Sequence, residues 1–285
     1  MGTTRVTRTR VAAAAVTLAE AGVGSPRVDA ELLAAYVLGV PRTRLVLAPD
    51  LDDEASRRLD ELVRRRAARE PLQHLVGTAV LGPVSVAVGP GVFVPRPETE
   101  LLLTEAVAAL RAIPEPRVVD LCTGSGALAL AVETARPDAE VHAVEADPAA
   151  LAWARRNLAD ARVRLVAADV TAPDTLAAMD RTVDLVVANP PYVPVGTPVD
   201  EEVDRDPVGA VFAGPDGLDV IRPLAVTAAR LLRPGGRVAV EHDESHADEV
   251  LTLLRDAGFT DVATRADLTG RPRVAAGTRA LPSAP

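Results

Sequence analysis

A length of 285 residues exceeds what one minimal domain needs and predicts one large domain and a smaller one. Hydrophobic residues make up 48% of the chain but aromatic residues only 2%, so the aromatic platforms that bind single-stranded nucleic acid are scarce. The formal net charge of -9 argues against a direct nucleic-acid substrate, because phosphate backbones attract basic surfaces.

Cysteine and apolar runs limit the possible compartment and cofactors. Cys122 is the only cysteine, which excludes an intramolecular disulfide and a metal cluster of several cysteines. We therefore expect no metal site and a cytoplasmic location. Because no apolar run approaches the roughly 18 residues of a membrane span, we expect no membrane partner. We also expect a monomer.

Apolar residues recur at helical spacing through the first seventy or so residues, which predicts a small helical bundle over residues 1–75. The apolar positions of its helices are Val11, Ala14, Leu18, Leu32, Leu33, Tyr36, Val37, Leu59, Leu62 and Val63. The third helix is rich in arginine, which we interpret as a solvated face, with contact to an acidic partner or to ribosomal RNA as the alternative. Its arginines and the one that follows are Arg57, Arg58, Arg64, Arg65, Arg66 and Arg69.

The amino-acid composition changes after this bundle to valine, glycine and proline. Residues 76–96 read as a linker with a β-hairpin, because Val84, Val86 and Val88 alternate with small residues. Residues 97–285 then repeat a strand-then-helix pattern, which predicts an α/β domain with a mostly parallel sheet covered on both faces. The predicted strands are residues 118–121, 141–144, 163–166, 185–188, 238–240, 259–262 and 273–275. The last two are close enough in sequence to form an antiparallel pair.

A glycine loop follows the first of these strands and precedes a predicted helix over residues 127–135. Glycine at such a turn lets the main chain approach a ligand. Glu145 ends the next strand 21 residues after Gly124, near the spacing at which an acidic side chain holds ribose hydroxyls. A tight turn without a ligand remains an alternative. The candidate cofactor-binding residues are Asp120, Cys122, Thr123, Gly124, Ser125, Gly126, Glu145, Asp169, Val170 and Asn189.

Two kinds of ligand fit this loop, a nicotinamide or flavin dinucleotide and S-adenosyl-L-methionine. The full glycine pattern of dinucleotide sites is missing, since Ala129 stands at its third position. Asp120 would repel a pyrophosphate but not a cationic amino acid, which favours the methyl donor. Asp169 is a candidate for adenine recognition, and Val170 for covering the ring. We assign Cys122 to packing, because no histidine lies near it in sequence.

Asn189-Pro190-Pro191-Tyr192 follows the fourth predicted strand, at the carboxyl edge where such sheets bind ligands. The prolines stiffen the backbone, and the Asn189 side-chain oxygen and the Pro190 carbonyl can accept both protons of an NH2 group. Tyr192 can pack against a planar amide or base. We therefore predict that these four residues, Pro191 included, grip an amide or amino nitrogen for methylation, although a rigid turn would also explain the prolines.

With both motifs, the chain resembles the HemK/PrmC family, the protein-(glutamine-N5) methyltransferases of peptide chain release factors. The further segments that carry the resemblance are residues 69–72, Gly77, and residues 91–100, 213–218, 234–236 and 267–270. It implies a class I S-adenosylmethionine-dependent methyltransferase fold, Rossmann-like, with a seven-stranded, mostly parallel sheet and an antiparallel terminal strand. It also implies that the substrate is the glutamine of the Gly-Gly-Gln motif in bacterial class 1 release factors, and that the helical domain docks this partner.

Three alternatives stay open. Ribosomal-protein glutamine methyltransferases share the Asn-Pro-Pro-Tyr site but differ at residues 96–100. Adenine-N6 nucleic-acid methyltransferases bind an NH2 group of the same geometry. A non-catalytic adenosine-binding adaptor could keep the fold without catalysis. The chain also departs from the family pattern. Cys122 replaces a glycine, which is tolerable if its backbone angles are ordinary, and Asp243 and His246 stand where glycine and glutamine are usual. We expect His242 and His246 at the surface.

Overall fold

The computed structural model describes residues 4–281, with side chains from Thr7 onward, and the chain divides into two compact units. The first consists of the residues up to Thr78 together with Asp200–Arg205. The second consists of Ala79–Val199 and of the residues from Asp206 onward. The sequence alone does not indicate that the segment Asp200–Arg205 belongs with the helical residues.

The first unit is the helical region that the apolar spacing predicts. Its helices are α1 (Thr4–Glu20), α2 (Pro26–Leu38), α3 (Asp53–Ala67) and α4 (Leu72–Val76), with a 3-10 helix at Arg42–Leu47 and another at Val203–Arg205. Asp52 caps α3 by accepting a hydrogen bond from the Ala55 backbone N–H at 2.8 Å. α2 ends at Leu38 and is capped by Gly39, whose φ of 64° lies in the left-handed region that glycine adopts most readily.

The core of this unit confirms most of the predicted apolar positions and corrects one. Leu18, Leu33 and Leu59 are fully buried in a shared cluster. Tyr36 was predicted on the apolar face of α2, but it is 39% exposed. The small residues Ala30 and Ala34 are buried instead, because their side chains lie on the same side of the helix as Leu33 and allow close packing.

The arginine-rich segment is not a wholly solvated face. Arg66 is only 4% exposed, and its Nε donates to Asp29 Oδ2 at 2.7 Å. Its Nη2 donates to Glu202 Oε1 at 2.8 Å, and its Nη1 donates to the Glu70 carbonyl at 3.1 Å. Burial of this guanidinium is possible because two carboxylates balance its charge, a pairing that charge patterning in sequence cannot show.

The second unit contains a hairpin and a seven-stranded sheet. The hairpin pairs β1 (Thr78–Leu81) with β2 (Val84–Ala87), and Val84 and Val86 face the core as predicted. The strands of the large sheet are β3 (Arg117–Leu121), β4 (Glu140–Glu145), β5 (Arg164–Ala167), β6 (Val183–Ala188), β7 (Leu232–Glu241), β8 (Phe259–Ala266) and β9 (Pro272–Arg279).

Helices alternate with these strands. They are α5 (Thr99–Leu110), α6 (Ala127–Ala135), α7 (Pro148–Asn157), α8 (Val208–Val211), α9 (Ile221–Leu231) and α10 (Ala247–Asp256), and short 3-10 helices lie at Ala177–Met179 and Glu244–His246. Among the helices of residues 4–281, none is both long and apolar enough to cross a membrane.

The order of the large sheet is β5-β4-β3-β6-β7-β9-β8. Strands β3 to β7 are parallel, whereas β9 runs antiparallel to both of its neighbours, so the predicted fold class is confirmed. Successive residues of a strand face opposite sides, and Val118 and Val119 accordingly belong to two different core clusters. One cluster lies under α5, α6 and α7 and the other under α9 and α10, which is why the sheet is buried on both faces.

We expect Arg66→Ala to lower the free energy of unfolding by about 3 kcal/mol, because the substitution leaves the buried Asp29 carboxylate without its partner. Arg57→Ala on the same helix is the matched control, since Arg57 is exposed and should change stability by less than about 0.5 kcal/mol. Urea denaturation of both variants measures the difference, and equal stabilities would contradict the role given to the buried pair.

Candidate active site

Three adjacent strand ends build the site. β3 pairs with β4 on one side and with β6 on the other, all in parallel, so their carboxyl ends lie at one edge of the sheet. The chain runs from β3 to β4 and β5 on one side and then crosses from β5 to β6 on the other side of β3, and such a reversal of strand order opens a crevice at that point. A cavity of about 250 Å³ lies there, and Asp120, Glu145 and Asn189 line it from the three strands.

The glycine loop holds its shape through backbone contacts. Gly124 and Gly126 have φ values of 57° and 82°, which side chains rarely allow. The backbone N–H of Gly124 donates to Glu145 Oε2 at 2.8 Å, and the N–H of Thr123 donates to the Val144 carbonyl at 2.9 Å. The loop is thereby fixed against the end of β4.

Glu145 is held in place by the main chain. Besides the Gly124 contact, its Oε1 accepts from the N–H groups of Ala146 at 3.0 Å and Asp147 at 2.9 Å. A carboxylate offers about four acceptor positions, so one position on Oε2 remains for a ligand hydroxyl. This geometry fits the ribose role that its place in the sequence predicts.

Asp120 is a buried acid at the floor of the cavity. Burial raises its pKa to about 7, although the Thr123 hydroxyl lowers it by donating to Asp120 Oδ2 at 2.5 Å, and the nearby Glu145 charge raises it further. A cation in the cavity would favour the ionised form and reduce this cost of burial.

The charge of the cavity distinguishes between the two candidate ligands. Its lining contains four carboxylates, from Asp120, Glu145, Asp147 and Asp169, and no basic side chain. A dinucleotide would bring two phosphate charges into this acidic surface, whereas S-adenosylmethionine brings a sulfonium and an ammonium. The residues present therefore fit the methyl donor and not a pyrophosphate.

The predicted adenine residues also line the cavity. Val170 is buried, and Asp169 is exposed with its Oδ1 accepting from the Thr171 N–H at 2.8 Å and the Thr171 hydroxyl at 2.7 Å. This local turn leaves the other carboxylate oxygen of Asp169 available. Leu128 and Ala150 add apolar surface to the same cavity.

Asn189 and Pro190 present unused acceptors. The Asn189 amide nitrogen donates to the Thr99 hydroxyl oxygen at 3.1 Å. Among residues 4–281, none donates a hydrogen bond to Asn189 Oδ1 or to the Pro190 carbonyl. Two acceptors next to each other on a segment stiffened by proline are the arrangement that an NH2 group needs.

Tyr192 is half-buried and contacts residues behind the motif. Its hydroxyl donates to Glu241 Oε1 at 3.2 Å, and its ring packs against the apolar cluster under α9. Burial raises the pKa of this hydroxyl, and the Glu241 charge raises it further.

Asn189 and Pro191 are part of the cavity lining, whereas Pro190, Tyr192 and Gly126 are not. A side chain on Gly126 would meet Leu158 at 3.0 Å, so this glycine permits helix packing.

Three polar residues support the site without having been predicted. Thr99 contacts Asn189, Glu241 contacts Tyr192, and Asn157 ties the glycine loop to β2. The Asn157 amide donates to the carbonyls of Ser125 at 2.8 Å and Ala87 at 2.9 Å. Of these three residues, only Glu241 could have been found from the sequence, because it ends β7 and polar residues at the carboxyl ends of strands gather at ligand sites.

Comparisons with known proteins agree with this geometry. Residues 11–77 match the PrmC N-terminal domain, and residues 86–203 match the methyltransferase small domain. The chain is 58% identical to the release factor glutamine methyltransferase of Mycolicibacterium smegmatis, over 95% of this chain and 97% of the relative. This chain belongs to the release factor glutamine methyltransferase family.

Further members of the family are similar along most of their length. The Streptomyces coelicolor release factor glutamine methyltransferase is 51% identical over 95% of this chain and 98% of its own length. The solved structure of the release factor-specific protein-(glutamine-N5) methyltransferase from Alicyclobacillus acidocaldarius is 31% identical, over 68% of this chain and 99% of that chain, with a TM-score of 0.43. The chain is thus a methyltransferase, and its cofactor is S-adenosylmethionine, as predicted.

Two expectations about departures from the family pattern are corrected. Cys122 does not have ordinary backbone angles, because its φ is 64°, in the left-handed region that favours glycine. His242 is not at the surface but fully buried, and burial lowers its pKa. Its Nδ1 lies 2.8 Å from the Asp243 carbonyl and its Nε2 lies 3.3 Å from the Thr264 hydroxyl, so β8 and the end of β7 enclose it.

We expect Cys122→Gly to be more stable than Cys122→Ala by about 1 kcal/mol, since both remove the sulfur but only glycine relieves the left-handed backbone. Urea denaturation of the two variants gives the difference. In ordinary extended or helical backbone the order is reversed, and finding alanine more stable would contradict the strain assigned to this position.

Proposed function

We propose that this chain transfers a methyl group from S-adenosylmethionine to the side-chain nitrogen N5 of the glutamine in the Gly-Gly-Gln motif of bacterial class 1 peptide chain release factors. The observation that carries the proposal is the pair of free acceptors, Asn189 Oδ1 and the Pro190 carbonyl, at the edge of an acidic cavity. The similarity to release factor glutamine methyltransferases along nearly the whole chain supports the choice of substrate.

The proposed role of the Asn-Pro-Pro-Tyr segment follows from the chemistry of an amide. Its nitrogen is a poor nucleophile because its lone pair is delocalised into the carbonyl. Accepting both N–H protons, at Asn189 Oδ1 and the Pro190 carbonyl, orients the nitrogen and favours a lone pair directed at the donor. Alignment of this kind contributes up to roughly 7–11 kcal/mol in favourable reactions, compared with about 1 kcal/mol for one hydrogen bond.

The proposed donor site uses charge and shape. Bound S-adenosylmethionine supplies the electrophilic methyl carbon. Asp120 and the acidic lining attract its positive groups, Glu145 accepts from a ribose hydroxyl through its remaining position, and Val170 covers the adenine. Tyr192 would support the motif from below through Glu241, and its packing against a substrate amide stays a prediction.

The remaining predictions concern partners and surroundings. We propose that the helical domain, residues 1–75, docks the release factor, with the hairpin linker at 76–96 and the methyltransferase domain at 97–285. Its family match over residues 11–77 supports a dedicated function. A monomer in the cytoplasm, with no nucleic-acid substrate, remains our expectation.

We expect Asn189→Ala to lower the rate of methyl transfer roughly 100-fold or more, because the nitrogen loses one of its two acceptors and its alignment. The assay incubates the purified chain with labelled S-adenosylmethionine and recombinant release factor, and mass spectrometry locates the methyl group. Circular dichroism of the variant should be unchanged.

A release factor whose Gly-Gly-Gln glutamine is replaced by alanine is the matched control and should accept no label. Three outcomes would overturn the proposal: labelling of DNA or RNA instead of release factor, labelling of a ribosomal protein instead, or donor binding without transfer to any of these. Each corresponds to one of the alternatives that the sequence leaves open.

Donor binding should weaken as the pH falls below 7, since Asp120 has a pKa of about 7 and must lose its proton to attract a cation. We expect the dissociation constant to rise up to roughly tenfold for each pH unit below that value. Calorimetry between about pH 5.5 and 7.5 measures it, in wild type and in Asp120→Asn. The variant should bind weakly with little pH dependence, and equal slopes for both proteins would refute the role of Asp120.

A further inference from the structure

We propose that Glu241 is a positioning residue that acts through Thr99 to fix which end of the Asn189 amide faces the substrate. The inference rests on the proposed function, because it explains how one of the two acceptors for the glutamine NH2 group is kept in place. Neither Glu241 nor Thr99 belongs to the Asn-Pro-Pro-Tyr segment.

The contacts form a chain beneath the motif. Thr99 is the first residue of α5, and its hydroxyl oxygen accepts from Asn189 Nδ2 at 3.1 Å. Glu241 is the last residue of β7, and its carboxyl group lies close enough to the Thr99 hydroxyl for this hydroxyl to lower its pKa. Tyr192 donates to Glu241 Oε1 at 3.2 Å from the far end of the motif. One carboxyl group therefore contacts the last residue of the motif directly and lies next to the threonine that holds the first.

The direction of the hydrogen bonds follows from the chemistry of each group. An ionised carboxylate can only accept, so in the proposed arrangement the Thr99 hydroxyl donates its single proton to Glu241. The same hydroxyl oxygen can then only accept from Asn189, which selects the NH2 end of the amide. Asn189 Oδ1 is then left as an acceptor for the substrate, and among residues 4–281 none donates a hydrogen bond to it.

An amide needs such a constraint because its two ends are nearly equal in size. If the amide of Asn189 turned over, its NH2 group would face the NH2 group of the glutamine, and two donors cannot form a hydrogen bond with each other. The acceptor-only nature of Glu241 excludes this arrangement. Among residues 4–281, none donates a hydrogen bond to Glu241 Oε2, so this buried oxygen can accept the Thr99 proton.

The buried environment of Glu241 determines whether its carboxyl group is ionised, and therefore whether it can only accept hydrogen bonds. It is 1% exposed, and burial raises its pKa to about 7, against the lowering effect of Thr99, Tyr192 and Arg273. Glu98, which precedes Thr99, raises it, and Asp243 follows two residues along the chain. Once protonated, the carboxyl can donate to Thr99, and the whole chain of hydrogen bonds can reverse.

The test compares three variants in the release factor assay at saturating donor. Thr99→Val keeps the shape of the side chain but removes the hydroxyl, and Glu241→Gln gives the carboxyl position a donor. We expect each to lower kcat roughly tenfold or more while the donor dissociation constant changes little. Thr99→Ser restores the hydroxyl and should recover most of the rate that Thr99→Val loses.

Two further measurements separate positioning from a merely structural role. The double variant Thr99→Val/Glu241→Gln should be no slower than Thr99→Val alone, within about twofold, because both act through one chain of contacts. The kcat of wild type should rise as the pH passes about 7, and this rise should be absent in Glu241→Gln. Multiplying effects in the double variant, or the same pH profile in both proteins, would overturn the inference.

The contact between Thr99 and Asn189 can also be tested in the absence of substrate. In nuclear magnetic resonance spectra, the side-chain NH2 protons of Asn189 should exchange slowly with water in wild type and faster in Thr99→Val. Unchanged exchange would contradict the contact, whatever the substrate is. If the wild type does not methylate release factor, the proposed function is wrong. If the wild type is active and both Thr99→Val and Glu241→Gln are fully active, only the positioning role of Glu241 is wrong.

Discussion

Parallel pairing of β3 with β4 and with β6 is the constraint on which the site depends. It brings the ends of three strands that are distant in sequence to one edge of the sheet. The glycine loop, Glu145 and the Asn-Pro-Pro-Tyr segment are thereby placed around one cavity. Because the strands are buried on both faces, their ends are held rigidly, and a reaction that relies on alignment needs such rigidity.

Electrostatics then decides which ligand the cavity takes. Main-chain N–H groups fix Glu145, and the buried Asp120 keeps a pKa near neutrality, so the cavity concentrates acidic groups that a cation can stabilise. The acceptors of the motif add no formal charge. The cavity thus pairs an acidic binding surface for the donor with neutral acceptors for an amide.

Much of the fold and of the site could be predicted from local patterns. The helix after the glycine loop spans the predicted residues, and Glu145 and Asn189 lie at their predicted strand ends, because strand and turn chemistry is local. Arg66 and His242 could not be placed, since their burial depends on partners far away in sequence, and Tyr36 was predicted on the apolar face although it is exposed. The left-handed backbone of Cys122 was missed because cysteine gives no signal for it, and Thr99 because a threonine at a helix start is common.

The most direct measurement is a crystal structure of the chain with S-adenosylhomocysteine and a Gly-Gly-Gln peptide. We predict that the glutamine nitrogen lies within roughly 3 Å of both Asn189 Oδ1 and the Pro190 carbonyl and faces the sulfur of the cofactor product. A glutamine amide bound to other groups, or an Asn189 amide with its NH2 end toward the peptide, would contradict it.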